Sequence, residues 1–207
     1  MNIEIRKLSP GLAEDYAKFF DTTHHWGSDD TKCYCITWCG DNVYLNGGKH
    51  WFSSPEARKS SAIQRIFDGD IQGYLAYCND KVVGWCNANT KADCQECINY
   101  LRYEGGVPLE ECRVGEKVKF IFCFTIAPEV QRTGVATQLL EYVCQDAAVE
   151  GFDFVEAFPY KEFTEAKDHR GPIAMYEKCG FRKCAEQEGK VVVRKWLNTE
   201  WSSDNER

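Results

Sequence analysis

Residues 118–151 read VKFIFCFTIAPEVQRTGVATQLLEYVCQDAAVEG, and this stretch decides the fold. Its first nine residues, Val118–Ile126, are almost wholly apolar, aromatic or β-branched, which predicts a strand buried on both faces. Pro128 ends the strand, because proline cannot donate to a sheet ladder. Gly151 is placed to end a helix whose apolar residues recur every four positions. Those residues are Val135, Leu139, Val143 and Ala147.

Residues 131–136, Gln-Arg-Thr-Gly-Val-Ala, connect this strand to the helix. A tight turn that leads into a helix presents unpaired backbone N–H groups at the positive end of the helix dipole. Such a turn is an anion site, and a diphosphate is a natural occupant. The spacing matches neither the Gly-x-Gly-x-x-Gly pattern of dinucleotide sites nor the Gly-x4-Gly-Lys-Ser/Thr loop of nucleotide hydrolases. A single glycine between a strand and a helix is by itself common in α/β proteins.

The turn does resemble the Gln/Arg-x-x-Gly-x-Gly/Ala signature of the GNAT superfamily of acetyl-coenzyme A-dependent N-acyltransferases. Gln131, Gly134 and Ala136 occupy its three defining positions. Residues 173–181, Ile-Ala-Met-Tyr-Glu-Lys-Cys-Gly-Phe, resemble the family's helix-to-strand segment. The interval between the two blocks suits one helix, one strand and a loop. The chain is therefore identified as a member of this superfamily.

The resemblance implies an α/β fold of the GNAT type. Its single mixed central sheet would have about six or seven strands flanked by helices, and it would be splayed between the strands at 118–126 and 153–158. We expect one acyltransferase domain at 1–197 and a polar C-terminal tail at 198–207 that frays. The length of 207 residues suits one domain with a real core.

Two helices are predicted in the first third of the chain. Ser9 and Pro10 start the first, with serine as cap and proline at the first helical position. Ser54 and Pro55 start the second, which ends near Gly69. Its buried side chains are expected to be Ile63, Ile66 and Phe67.

A hairpin is predicted about Asn79 and Asp80, a favourable turn pair between strands at 73–78 and 81–87. Further strands are expected at 2–8, 180–185 and 190–196. The irregular segments 21–54, 88–117 and 159–170 are interpreted as the regions that decide which acceptor is used.

The composition of the chain indicates its cellular location and the classes of molecule that it can bind. The N-terminus alternates polar and apolar residues, and no stretch has the apolar length of a membrane span. Twelve cysteines without a secretory signal indicate reduced thiols in a cytoplasm. The net charge of −7 makes nucleic acid an unsuitable partner and favours cationic substrates such as amines. Whether the chain forms a homodimer stays open.

The resemblance also implies how acetyl-coenzyme A, as co-substrate, would be held. Pantetheine would insert where the two strands splay, with backbone groups near Phe124 and Ile126 pairing with its amides. A backbone N–H there would polarise the thioester carbonyl. The diphosphate would lie on the turn, and its contacts would come from Gln131, Arg132, Thr133, Gly134, Val135, Ala136 and Thr137.

His169 falls where many family members carry an asparagine, seven residues before the conserved tyrosine of the second block. It is interpreted as a cofactor contact or a group for proton transfer, since histidine titrates near neutral pH. The alternative is a solvated histidine in the polar stretch 167–170.

Tyr176 matches the family's general acid, a phenol that protonates the departing thiolate. The alternative is a core tyrosine that packs beneath the helix. The general base is less obvious, because residues 118–122 lack the glutamate that many relatives carry. Glu156, an acid inside an apolar strand, is the candidate, since burial would raise its pKa. A surface-facing or paired structural glutamate, or a water chain, remains open.

The spacing of the cysteines allows one further class of protein, a zinc-binding protein. Cys33, Cys35 and Cys39, and separately Cys94 and Cys97, have spacings seen at zinc sites, but neither set completes a zinc ribbon, and no metal is assigned. The stretches 33–35 (Cys-Tyr-Cys) and 84–86 (Gly-Trp-Cys) resemble a bacterial subgroup of the family.

The leading hypothesis is an acetyl-coenzyme A-dependent N-acetyltransferase that acts on a primary amine of a small molecule or peptide by direct attack in a ternary complex. The alternatives are a catalytically silent coenzyme A-binding regulatory module and a zinc-dependent sensor.

Overall fold

The computed structural model describes residues 1–23, 32–36, 54–94, 115–162, 169–187 and 189–197. Its strands are β1 (Glu4–Lys7), β2 (Gly73–Cys78), β3 (Lys81–Thr90), β4 (Val118–Ile126), β5 (Phe154–Ala157), β6 (Arg182–Gln187) and β7 (Lys190–Trp196). Its α-helices are α1 (Ala13–Thr22), α2 (Pro55–Asp68), α3 (Val135–Val149) and α4 (Ile173–Lys178). Short 3-10 turns lie at Pro10–Leu12, Lys91–Cys94 and Pro128–Val130.

The seven strands form one mixed sheet in the order β1-β2-β3-β4-β5-β7-β6. Every neighbouring pair is antiparallel except β4 and β5, which run parallel. The predicted α/β fold with a single mixed sheet is confirmed.

Helices cover both faces of the sheet. Trp85 of β3 meets Tyr16 of α1 edge to face, with ring centroids 4.9 Å apart. The neighbouring Gly84 lies against Val135 of α3, because a Cβ built on it would stand 3.1 Å from that side chain. Since adjacent strand residues point to opposite faces, α1 lies on one face and α3 on the other.

A β-bulge divides β4 into two halves. Asn87 of β3 pairs with Cys123, but the next residue, Ala88, pairs with Ile121, so Phe122 is an extra residue in β4. The parallel pairing with β5 runs only from Val118 to Ile121. The pairing of β4 with β5 thus ends at the bulge, between the two strands where the splay is predicted.

The long helix behaves as its pattern predicted. Val135, Leu139, Val143 and Ala147 are all 1 % exposed or less, so they form one buried stripe. Gly151, with φ +73°, follows the helix end. The stripe anchors α3 against β2, β3, β4 and β5 and positions its N-terminus beside the end of β4.

Local signals were mostly correct. Asn79 and Asp80 both have positive φ, as a two-residue hairpin turn requires. The Ser54 hydroxyl accepts a hydrogen bond from the Ala57 N–H at 3.2 Å and caps α2. The sequence was wrong about Phe67, which is 60 % exposed because it lies on the outer face of α2.

Ser9 is the N-cap residue of a 3-10 turn, Pro10–Leu12, that leads into α1, but its side chain makes no capping hydrogen bond. Several strand boundaries differ from the prediction. The strands β1 and β5 are shorter, at Glu4–Lys7 and Phe154–Ala157, β3 continues to Thr90, and β6 runs over Arg182–Gln187.

Several predictions fall outside the described residues. They concern the tail at 198–207 and the possible zinc ligands Cys39 and Cys97. Of the helices in the described part of the chain, none has both the length and the apolar content of a membrane span.

Candidate active site

The turn after β4 is built by its own side chains. The Gln131 amide donates from Nε2 to the Ile126 carbonyl at 3.1 Å, and the Thr133 hydroxyl donates to the Val130 carbonyl at 2.7 Å. Arg132 has φ +62° and Gly134 has φ +92°. These hydrogen bonds, together with the two residues of left-handed conformation, form the turn through which the chain enters α3.

The N-terminus of α3 is not capped by a side chain. Gly134 is its N-cap residue, and within the described residues it has no side-chain capping hydrogen bond. The first amides of a helix have no partner within the helix, so those of Val135, Ala136 and Thr137 point out of its end. A Cβ added to Gly134 would meet nothing within 4 Å. Residues 131–134 are exposed, which leaves room for an anion at this helix end.

The turn residues therefore fit a diphosphate through the backbone. Val135 is 1 % exposed and belongs to the core, so it can offer only its N–H. Arg132 is exposed beside the turn and can add a positive charge.

Before the bulge, the backbone of β4 pairs with β5; beyond the bulge, it forms a hydrogen bond with a different segment. The Phe124 N–H donates to the His169 carbonyl at 2.6 Å. Ile126 pairs with Gly84 on the β3 side. The amide that the resemblance assigns to the thioester is thus bonded to the segment at 169–171. The structure brings Phe124 and His169 together through a hydrogen bond between their backbones.

Tyr176 lies next to the same half of β4. Its side chain is fully buried and its hydroxyl donates to the Arg170 carbonyl at 2.6 Å. Its ring meets Phe124 at 6.5 Å and Phe181 at 5.2 Å between centroids. Gly171, with φ +79°, leaves no room for a Cβ, which would come within 2.7 Å of Met175. The tyrosine is packed as a core residue, and its hydroxyl is aimed at the segment that also contacts Phe124.

Glu156 occupies the opposite face of the sheet. Its register partner in β4 is Phe120, which pairs in turn with Asn89 on the face that carries Trp85. Phe124 and Tyr176 lie on the α3 face. The predicted acid and base are therefore separated by the sheet.

The carboxylate of Glu156 is fully buried and paired on both sides. Oε1 accepts from Lys91 Nζ at 2.8 Å, and Oε2 accepts from Arg194 Nε at 2.6 Å. Two hydrogen-bonded cations already satisfy both oxygens, so this geometry is that of the paired structural glutamate. Its role as a base stays a prediction and now competes with that structural role.

The sequence analysis missed both partners of this carboxylate. Arg194 carried a signal, since it interrupts the apolar strand Val-Val-Val-Arg-Lys-Trp just as Glu156 interrupts its own. Two charges that each interrupt an apolar strand are candidates for a buried pair. Lys91 carried none, because it follows β3 in a polar connection. The bulge at Phe122 was also invisible, since every residue of β4 fits a regular strand.

Within the described ranges, no group of three or more His, Cys, Asp or Glu residues is arranged to hold a metal ion. Three of the four histidines, His24, His25 and His50, lie outside those ranges.

Comparison with known proteins defines the class. Residues 42–181 match the model of the acetyltransferase (GNAT) family, which is more than half of the chain. The chain therefore belongs to the GNAT acetyltransferase family. No curated protein matches the sequence.

Solved structures share the fold at low sequence identity. The GNAT domain of S. lividans PAT has a TM-score of 0.55 at 13% identity, over 94% of this chain and 90% of its own. An aminoglycoside acetyltransferase from an uncultured soil metagenomic sample has a TM-score of 0.54 at 16% identity, over 90% and 96%. The PaiA N-acetyltransferase of Thermoplasma acidophilum, in complex with coenzyme A, has a TM-score of 0.50 at 14% identity, over 95% and 99%.

Proposed function

We propose that this protein is an acetyl-coenzyme A-dependent N-acetyltransferase that modifies a primary amine of a small molecule or peptide. The observation that carries the proposal is the joint position of two features at the end of β4. One is the end of the β4–β5 pairing at Ile121, just before the bulge, and the other is the uncapped N-terminus of α3. If the two strands separate beyond this point, an extended chain could lie between them beside the anion site, as suits a molecule that joins pantetheine to a diphosphate.

Acetyl-coenzyme A, when bound, supplies an activated acetyl group. The backbone of residues 131–137 would bind its diphosphate, and Arg132 would add charge. The complex of the PaiA N-acetyltransferase with coenzyme A describes that protein alone. The shared fold supports the proposal that the cofactor lies between β4 and β5 in this protein as well. His169 would take part in cofactor binding through its backbone carbonyl rather than its ring, because that carbonyl accepts the hydrogen bond of the Phe124 N–H.

The Phe124 N–H would stabilise negative charge on the reacting carbonyl oxygen. To do so it must release the His169 carbonyl, which accepts from it at 2.6 Å. The segment at 169–171 would therefore shift when the donor binds. Tyr176 would then be placed to give its hydroxyl proton to the leaving thiolate, since that hydroxyl contacts the same segment.

Glu156 would remove the proton from the attacking amine. To do so, its carboxylate must first separate from Lys91 and Arg194, which occupy both of its oxygens. A water chain to backbone carbonyls is the competing route. The amine would attack directly in a ternary complex, so that no acyl-enzyme forms and proximity supplies much of the rate. Location in a bacterial cytoplasm and assembly as a homodimer stay predictions.

The test is an acetyl-transfer assay with purified protein, acetyl-coenzyme A and a panel of primary amines. The panel should contain polyamines, amino sugars and peptides with a free N-terminus. The expected result is an amine whose mass rises by one acetyl group, with release of coenzyme A. Binding of acetyl-coenzyme A without transfer to any amine would instead favour the regulatory module.

Isothermal titration separates the two parts of the proposal. Coenzyme A and pantetheine should both bind, and coenzyme A should bind more tightly because only it carries the diphosphate. Equal affinities would contradict the assignment of the turn at 131–134.

A further inference from the structure

Two buried thiols meet between the segment 32–36 and β4, the central strand of the sheet. Cys35 and Cys123 have sulfur atoms 2.9 Å apart. Cys35 is fully buried, Cys123 is 1 % exposed, and neither is in a disulfide. Cys123 belongs to β4, directly after the bulge residue Phe122. Cys35 belongs to the segment 32–36, which packs on the face of the sheet that carries α1.

The segment is held by specific contacts. The Tyr16 hydroxyl of α1 donates to the Tyr34 carbonyl at 2.6 Å, and the Tyr34 hydroxyl donates to Asp21 at 2.7 Å. The Cys35 N–H donates to the Cys33 sulfur at 3.4 Å. These contacts hold the Cys35 side chain over β4 and fix which thiol it faces.

The backbone of the segment is strained. Tyr34 has φ +44° and Cys35 has φ +53°, so two consecutive residues with side chains occupy the left-handed region. Such residues cost free energy and persist only where surrounding contacts hold them. Strain lowers the cost of local opening, which would admit a small oxidant to the thiols.

We propose that Cys35 and Cys123 form a reversible disulfide that locks residues 32–36 onto β4. Sulfur atoms at 2.9 Å need only a small movement to reach the bond length of about 2.05 Å. With a peroxide as oxidant, one thiol is oxidised to a sulfenic acid and the peroxide is reduced to water. The second thiol then displaces a second water to form the sulfur–sulfur bond. Two thiols and one peroxide thus give one disulfide and two waters.

The reaction is expected to be slow in the closed state. Burial raises the pKa of the Cys35 thiol well above its ordinary value, and the nearby Cys123 and Cys33 act in the same direction. A protonated, buried thiol is a poor nucleophile, so oxidation waits for the segment to open. Exposed Cys184 should react first, which provides an internal check that the oxidant is active.

The first test is peptide mapping of the purified full-length protein. It is treated with hydrogen peroxide, its remaining thiols are alkylated under denaturing conditions, and it is digested and analysed by mass spectrometry. The expected product is a cross-linked pair of peptides that contain Cys35 and Cys123 and separate on treatment with dithiothreitol. Alkylated Cys35 and Cys123 in protein whose Cys184 is oxidised would overturn the proposal. A disulfide from Cys35 to any other cysteine would overturn it equally.

Electrophoresis without reductant gives an independent readout. The cross-link joins residues 88 positions apart, so the oxidised chain should migrate faster than the reduced chain. Cys123→Ala and Cys35→Ala should both abolish the fast band. Cys144→Ala, which removes a buried thiol of α3, is the matched control and should keep it. A fast band that survives in Cys123→Ala would exclude this pair.

The disulfide would also act on the proposed acetyl transfer, and this part rests on the proposed function. Cys123 immediately precedes Phe124, whose N–H is assigned to the thioester carbonyl. We expect oxidised protein to transfer acetyl groups at least about tenfold more slowly, since small misplacements of reacting groups are costly. Dithiothreitol should restore the rate, and Cys35→Ala should resist the oxidant. Full activity in fully cross-linked protein would overturn the regulatory part, whereas inactivity of reduced protein would count against the proposed function.

Discussion

The two halves of β4 have different surroundings. The first half, Val118 to Ile121, has β3 on one side and β5 on the other, so both of its edges are paired. Among the described strands, the second half, after Phe122, pairs with β3, and its Phe124 N–H donates to the carbonyl of residue 169. A single inserted residue separates the two halves. The difference teaches that one extra residue can end the pairing of a strand along one edge and turn its backbone groups toward another segment.

Charge follows the same division. Two sets of ion pairs lie beside the first half: the buried pairs of Glu156, which is opposite Phe120, and a part-buried pair in which Lys119 lies 3.4 Å from Glu150. Burial lowers the pKa of Lys119, although Glu150 opposes that shift. Beside the second half, the turn at 131–134 and the first amides of α3 are open. Substitutions near the first half should therefore alter stability, and those near the second half should alter catalysis.

The largest expected effect is on stability, at Glu156. Glu156→Gln removes the buried negative charge that pairs with Lys91 and Arg194, which should lower the free energy of unfolding by about 3–5 kcal/mol. Urea denaturation measures this change. Glu14→Gln, which breaks the exposed pair with Lys18, is the control and should leave the free energy of unfolding nearly unchanged. If Glu156→Gln keeps its stability but loses the acidic limb of its pH–rate profile, the carboxylate is a base and not a structural partner.

The next effect is on turnover, at Tyr176. Tyr176→Phe should lower kcat about a hundredfold while leaving the Kd for acetyl-coenzyme A nearly unchanged, because a general acid acts only in the transition state. The matched control is Tyr16→Phe. Tyr16 is also fully buried and also donates to a backbone carbonyl at 2.6 Å.

Both variants should lose about 1 kcal/mol of stability with the hydrogen bond. Only the first should lose turnover. Equal kcat values in the two variants would make Tyr176 a core residue and retire its role as the acid.

A smaller effect is expected on affinity, at Gly134. Gly134→Ala places a side chain at φ +92°, so the turn must shift, and its backbone amides no longer point at the proposed diphosphate. Titration calorimetry should show acetyl-coenzyme A binding weakened about tenfold, which corresponds to roughly 1.4 kcal/mol. Gly151→Ala, at φ +73° beyond the other end of the same helix, carries similar strain and should bind normally. The same loss in both variants would point to helix stability rather than to a diphosphate site.

The smallest effect concerns acid stability beside the first half. Burial raises the pKa of Asp146, but hydrogen bonds from Tyr74 and Lys7 outweigh it and hold the pKa below its ordinary value. A lowered pKa in the folded state contributes stability above the unfolded-state pKa, and this is lost as pH falls through the folded pKa.

Asp146→Asn should therefore cost about 1 kcal/mol at neutral pH, with the difference from wild type vanishing in acid. Thermal unfolding across pH measures it, with Asp68→Asn as an exposed control. A constant difference at all pH values would mean that packing, not ionisation, is responsible.

Much of the site could be located from sequence because local rules govern it. The apolar run of β4, the glycine at 134 and the four-residue period of α3 each depend on neighbours along the chain, and each was correct. The surroundings of Glu156 could not be found in this way, because Lys91 and Arg194 approach it from distant positions. Glu156 was predicted to be the base because the sequence places it inside an apolar strand and does not show which two cations pair with it.

The sequence by itself determined the strand, turn and helix at 118–149, the hairpin at Asn79 and Asp80, and membership of the family. These depend on periodicity, backbone preference and short motifs, which act over a few residues. Only the tertiary structure decided the bulge at Phe122, the buried partners of Glu156, the hydrogen bond from Phe124 to the 169 carbonyl and the meeting of Cys35 with Cys123. Each of these joins positions far apart in the chain, so it follows from how the strands register and not from any local pattern.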